Sequence, residues 1–198
     1  MARAIKPKII QEVCRVRSTK LKSSEKDGRR NYSLKAPLGK EQIHQDKLNP
    51  FYVVGFIDGE GSFSVSIGKH KTLARRLEVR PEFEIELRAD DKEILERVAV
   101  TIGCGKIYDC SYERYGWYPH VKYKITSTVD LEKYLFPFLD CYQLQAKKAK
   151  SYKFFREIVL MMRNKKHLTD TGFNKIVKLR DKIRAFGKKH NSLNDGNR

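Results

Sequence analysis

The chain has 198 residues, enough for one domain with extensions and a sizeable core. Lysines and arginines number 42 against 24 acids, giving a formal net charge of +18. Such a chain repels itself unless it meets a polyanion, usually nucleic acid, though a basic ribosomal-type component fits the charge as well. No stretch approaches the ~18 apolar residues of a membrane span, and no signal-peptide apolar region is present. The four cysteines (Cys14, Cys104, Cys110, Cys141) form no CxxC pair, so they read as reduced thiols in a reducing compartment rather than a zinc site.

In chain order, residues 1–47 form a basic extension with 13 cationic and five acidic residues. Pro7 to Arg17 fits a short helix, and the polar, Gly/Ser/Pro-punctuated stretch 18–40 reads as extended or disordered. Three readings stay open: an arm tracking DNA phosphates, a solvated tail, or an organellar transit peptide. The main domain is expected at 48–187, followed by a polar tail at 188–198. It opens with a helix capped by Asn49, with Pro50 at its first position and Gly61 as a left-handed stop. Residues Val53 to Gly61 read VVGFIDGEG. They combine a small-xxx-small step at Gly55 and Gly59 with two carboxylates, Asp58 and Glu60, at the helix's C-terminal end. The helix dipole is negative there, and a divalent cation would relieve the conflict.

Beyond it, Ser62 to Ile67 alternates with period two, placing Phe63, Val65 and Ile67 inward and Ser62, Ser64 and Ser66 outward. A basic loop at 69–76 carries His70, Arg75 and Arg76. The next strand, Leu77 to Arg88, is entered around Pro81 and shows Glu82, Glu84 and Glu86 on its outer side. That acidic row is either neutralised by basic neighbours or accepts hydrogen bonds from cytosine amino groups. A helix capped by Asp90 or Asp91 runs to about Ile102. Strands at 106–112 and 119–126 flank an aromatic hairpin with Tyr112, Tyr115, Trp117 and Tyr118, suited to stacking on DNA or to packing in the loop. Helices are expected from Asp130 to the Pro137 region, from about Gln143 to Asn164, and from Gly172 to Phe186. This is an α+β layout with helices on one face of a four-stranded sheet. The outward strand residues Ser62, Ser64, Ser66, Tyr108, Lys122 and Lys124, with His70, Arg75, Arg76 and Arg114, are the candidate DNA contacts.

Val53 to Gly61 resembles the signature of the LAGLIDADG homing endonucleases, with Val53-Val54 for the leading Leu-Ala and Glu60 for the second Asp. The similarity continues through Phe83 to Leu87, Ile94-Leu95, Gly103 to Ile107, Tyr142 to Lys148 and Leu168 to Lys178, about 70% of the chain. The resemblance implies an αββαββα fold with an antiparallel DNA-binding saddle. It also implies motif helices that pair through their small residues, here Gly55 and Gly59, with Val54, Ile57 and Asp58 also at the dimer interface. The activity implied is site-specific double-strand cleavage of a long, pseudo-palindromic target during homing.

By the same resemblance Glu60 is the metal ligand and Asp58 supports the helix end. Glutamate in place of aspartate keeps the ligand chemistry with one methylene more reach. Leu87 stands where the family often has a polar residue. The family's lysine near the start of the long helix maps ambiguously, and Lys147, with Gln145 orienting water, is the expected pair. Magnesium binds through one or two carboxylates plus substrate phosphates, so one acid per subunit suffices; Mn²⁺ should substitute and Ca²⁺ should support binding only. A single motif copy requires a symmetric homodimer. The expected setting is intracellular, wherever the DNA lies (bacterial cytoplasm or an organelle). A non-cutting DNA-binding regulator and an RNA-binding intron maturase are the alternatives.

Overall fold

The computed structural model describes residues 47–72, 75–112, 116 and 118–188. The expectations for the basic extension before Lys47, for Arg114, Tyr115 and Trp117, and for the tail after Lys188 lie outside these residues. The first helix, α1 (Pro50–Glu60), begins as expected: the Asn49 side chain accepts the Phe51 amide at 2.9 Å and Pro50 takes the first turn. Its end differs from expectation. Gly61 is extended, not left-handed (φ −66°, ψ 147°), and passes directly into β1 (Gly61–Lys69). Glycine is needed there for space, because a Cβ would sit 2.7 Å from the Ile57 carbonyl oxygen.

Strand β2 (Leu77–Arg88) pairs antiparallel with β1 from Leu77 to Ile85, and Pro81 sits mid-strand opposite Val65 rather than at the entrance. A proline is tolerated where its missing N–H removes no required bond. A 3₁₀ turn at Ala89–Asp91 leads into α2 (Lys92–Ile102). Strands β3 (Lys106–Cys110) and β4 (His120–Ile125) complete an antiparallel sheet of order β1-β2-β4-β3. Gly105 has φ +95°, and a side chain there would run into the Tyr123 ring.

The helical stretch after β4 is longer than expected and irregular. It passes from α3 (Thr128–Asp130) through a π-helical segment, Leu131–Leu135, into α4 (Phe136–Cys141). The Phe136 amide reaches back five residues to the Leu131 carbonyl. Pro137, having no N–H, cannot hold the ordinary four-residue register at this point. Residues 143–147 are non-helical, so the long helix α5 (Lys148–Arg163) starts five residues later than its expected start at Gln143. The last helix is α6 (Asp170–Lys188).

The core lies between sheet and helices. Phe63 packs against Phe83 within the sheet and against Tyr152 and Phe155 of α5, with centroids 5.1–5.4 Å apart. Phe83, Ile85, Val121, Tyr123 and Ile125 complete the inward face, all essentially inaccessible. The α+β architecture with helices on one sheet face is therefore as expected. No described helix is long and apolar enough to cross a membrane. Cys104 and Cys110 are free thiols.

Candidate active site and nucleic-acid interface

Helix α1 has two sides of opposite character. Val53, Val54 and Ile57 are buried in the chain's own core, between 0% and 7% exposed. This corrects the expectation that Val54 and Ile57 face a partner. The helix spends its i, i+3, i+4 apolar stripe on its own sheet and on α2. The other side carries Phe51 and Tyr52, 63% and 50% exposed, with Gly55, Phe56 and Gly59. A Cβ added at Gly55 or Gly59 meets nothing within 4 Å. Tyr52 stacks on Phe56 at 6.0 Å, stiffening this surface.

At the C-terminal end of α1 the two acids part company. Asp58 turns inward, and its Oδ2 accepts the backbone amides of Gln145 (2.6 Å) and Ala146 (3.2 Å). Its Oδ1 is buried with no hydrogen-bond partner among the described residues. Asp58 thus pins the 143–147 segment to the end of α1. Glu60 is exposed at the tip. Lys148 Nζ donates to the Gly59 carbonyl at 2.8 Å, one of the α1 carbonyls that no helical amide satisfies. Burial lowers the Lys148 pKa below its ordinary value, while the charges of Asp58 and Glu60 pull against that shift. Lys147 is exposed and donates to neither acid. The late start of α5 therefore puts Lys148, rather than Lys147, beside the acidic pair. Gln145 is close by through its backbone, and its side-chain amide donates to the Gln143 carbonyl at 2.8 Å. Among the described residues no three His, Cys, Asp or Glu side chains converge into a ready metal cage. The end of α1 instead offers one accessible hard carboxylate beside an ammonium, a partial site whose other ligands must come from elsewhere.

On the sheet's open face the acidic row meets basic neighbours. Register places Glu84 opposite Ser62 and Lys124, and Glu86 opposite Lys122. Lys122 Nζ lies 2.8 Å from Glu86 and 3.6 Å from Glu84; Lys124 Nζ lies 2.6 Å from Glu84 and 3.1 Å from Glu82. Basic neighbours neutralise the carboxylates, which is one of the two alternatives left open by the sequence. The Tyr112 hydroxyl adds a bond to Glu86 at 2.8 Å. Burial alone would raise the Glu86 pKa, but the bonds from Lys122 and Tyr112 outweigh it and the net shift is downward. Partial desolvation opposes the lysine charge at Lys122, yet Glu86 and Tyr112 hold its pKa well above the ordinary value.

The other expected contacts divide. Ser62, Ser64 and Ser66 are exposed along β1, and Tyr108 is exposed on β3 beside Lys122. Arg76 is exposed in a left-handed conformation (φ 52°), its carbonyl accepting the His70 amide at 2.9 Å. His70 Nδ1 faces the Thr72 hydroxyl at 3.3 Å. Arg75 is committed elsewhere: it pairs with Asp170, donates to the Leu168 carbonyl and lies over the Phe173 ring. It ties the β1–β2 loop to α6 and is not a free cation. Two outward residues were overlooked, Arg80 opposite Ser66 and Lys106 opposite Lys124. Strand parity carried the signal for both, since Arg80 shares its side with Glu82 and Lys106 with Tyr108.

Residues 53–159 match the family described as LAGLIDADG endonuclease. A protein named probable intron-encoded endonuclease 2 from Neurospora crassa is 27% identical over 132 residues, covering 67% of this chain and 26% of its own length. The chain therefore spans about a quarter of that relative. Among solved structures, the homing endonuclease I-TnaI is 30% identical with a TM-score of 0.64, covering 77% of this chain and 92% of its own. I-SmaMI bound to an uncleaved DNA target with calcium ions is 35% identical with a TM-score of 0.64, covering 69% and 45%.

Proposed function

The chain belongs to the LAGLIDADG endonuclease family, and on that premise we propose that it cuts double-stranded DNA at a specific site as a symmetric homodimer. The observation that carries this reading is α1, bare at Gly55 and Gly59 on its open side and tipped by an exposed Glu60 beside Lys148. A two-fold axis along the glycine stripe brings two such tips together, one for each DNA strand. Glu60 is the residue that would hold a divalent cation, Mg²⁺ foremost with Mn²⁺ as substitute. Such a cation supplies Lewis-acid stabilisation of charge at the scissile phosphate. Lys148, held on the Gly59 carbonyl, sets a fixed positive charge where the phosphorane's charge builds. Asp58 acts at one remove, fixing the segment from which Gln145 can orient the attacking water.

On this reading the domain spans about residues 48–187, and the open sheet face lies along the major groove. Ser62, Ser64, Ser66, Arg76 and Tyr108 are its free contacts; Lys122 and Lys124 act as parts of the carboxylate network. The protein works in whichever compartment holds its target DNA. The test is selection from a random duplex library in Ca²⁺, then challenge of the enriched DNA with Mg²⁺ by wild type and Glu60→Gln. A near-palindromic consensus cut by wild type alone is the expected result. Affinity of the variant should stay within about tenfold, since the acid repels phosphate rather than binding it. Cutting by Glu60→Gln would remove Glu60 from the site. Enrichment without cutting would indicate a regulator, and no enrichment would indicate RNA as the partner.

A further inference from the structure

The positive charge of the chain is not on the sheet. Residues 48–147, which build α1 and all four strands, hold 14 lysines and arginines against 15 acids. Residues 148–188, which build α5, α6 and their connection, hold 13 against 3. At 100° per residue, Tyr152, Phe155 and Val159 form the stripe of α5 that meets the sheet. Lys153 and Glu157 then fall on the flank turned away from it.

That flank borders an open groove of about 370 Å³, lined by Lys153, Arg156, Glu157, Asn164, Lys166 and Lys175 among others. Arg156 pairs with Asp140, and Lys175 with Glu157, the one acid lining the groove. Lys153 and Lys166 have no ion pair among the described residues and are exposed. The neighbouring Lys165 is held left-handed at φ 57°. Apart from Arg76 it is the only described non-glycine residue with positive φ. It directly follows Asn164, which closes α5, the ordinary place for a left-handed residue at a helix end.

We propose that this groove binds the phosphate backbone of a second duplex-DNA segment, distinct from the one read by the sheet. The inference rests on the endonuclease reading above. Lysine ammoniums offer point charges to phosphate oxygens, and an open groove of this size admits a sugar-phosphate run rather than a single ion. Lys153 and Glu157 sit on the side of α5 turned from the sheet, whereas the sheet's open face points away from α5, so a straight duplex along that face does not reach them. A long DNA already docked on the sheet presents its remaining segments at high effective concentration, and this favours DNA as the occupant.

The test tethers the full chain through an N-terminal tag and saturates it with unlabelled selected target duplex. A labelled random-sequence duplex follows, with wild type and Lys153→Gln/Lys166→Gln compared. Wild type should hold the labelled duplex together with target, and the double variant should lose it at least tenfold with unchanged target affinity and melting temperature. Equal retention by the double variant, or no capture of labelled duplex by wild type, overturns the proposal. Displacement of the labelled duplex by an equal concentration of an RNA hairpin overturns its assignment to DNA. If the endonuclease reading itself fails, no target duplex is selected, yet the labelled duplex still binds and still responds to the two substitutions.

Discussion

Replacing Gly55 by leucine should raise the stability of the isolated chain while destroying the proposed homodimer. A Cβ at Gly55 meets nothing within 4 Å, so the side chain fits the monomer, and leucine is a better helix former than glycine by about 0.8 kcal/mol. The melting temperature, measured at a dilution where wild type is monomeric, should rise by about 2 °C. In the proposed dimer the same side chain would stand between two helices that need bare glycines to touch. Phe51 and Tyr52 are 63% and 50% exposed. From the usual burial of an aromatic ring, each leaves roughly 100 Å² for a partner to cover. At ~25 cal/mol per Å², four rings contribute roughly 10 kcal/mol. The entropic cost of association is about 4–15 kcal/mol. The dimer therefore has little to spare, and a wedge that uncovers even one ring should weaken it by about a hundredfold. Equilibrium sedimentation and thermal unfolding of one preparation read both quantities. A dimer that survives with a raised melting temperature would move the interface away from α1. A lowered melting temperature would refute the open-space reading of Gly55.

Other substitutions test other contacts. Lys148→Met should cut the cleavage rate at least about 100-fold, with Lys147→Met within about threefold of wild type; single-turnover kinetics distinguish them, and the reverse order would restore Lys147 to the site. Arg76→Gly releases a left-handed backbone and should stabilise the chain by about 1 kcal/mol, while the salt dependence of DNA binding falls by about 0.9 in slope; unfolding and fluorescence titrations report the two. Glu86, its pKa held below the ordinary glutamate value in the folded chain, contributes stability that is complete above that ordinary value and is lost as pH falls through the folded value. Wild type should therefore exceed Glu86→Gln in stability at neutral pH, with the gap closing in acid. A gap that persists at low pH would assign the effect to packing.

The sequence exposed most of the fold because most of it obeys local rules. Asn49-Pro50 opens α1 as capping chemistry requires, and the period-two alternation of β1 gives its faces residue by residue. The failures lie where a distant contact overrides the local signal. Gly61 reads as a left-handed stop, but the close approach of the Ile57 carbonyl makes it a spatial glycine in an extended chain. Gln143 to Lys147 carries a helical pattern, but Asp58, more than 80 residues earlier, takes the Gln145 and Ala146 amides and delays α5 to Lys148. That delay is also why the lysine nearest the acids shifted by one position. Val54 and Ile57 were assigned to a partner because a motif lists residues without their sides; only packing shows which stripe of the helix the chain keeps for itself. Arg75 looked like any loop cation until Asp170 and Phe173 claimed it.

The carboxylate network on the sheet bears on how such a protein would separate affinity from specificity. A free lysine facing phosphate binds any sequence, through counterion release. Lys122 and Lys124 are instead held by Glu82, Glu84 and Glu86, at 18% and 24% side-chain exposure. Turning either ammonium toward DNA breaks a short ion pair and leaves a carboxylate in need of a donor. A phosphate supplies none, so non-specific contact gains little here. A base pair that offers an acceptor to the lysine and an amino group to the glutamate satisfies both at once. On the proposed reading the network would weaken binding to the wrong sequence more than to the right one, the form that specificity takes when repulsion contributes to it. Sequence-independent attraction must then come from other surfaces, and the cations of α5 and α6 lie outside the network.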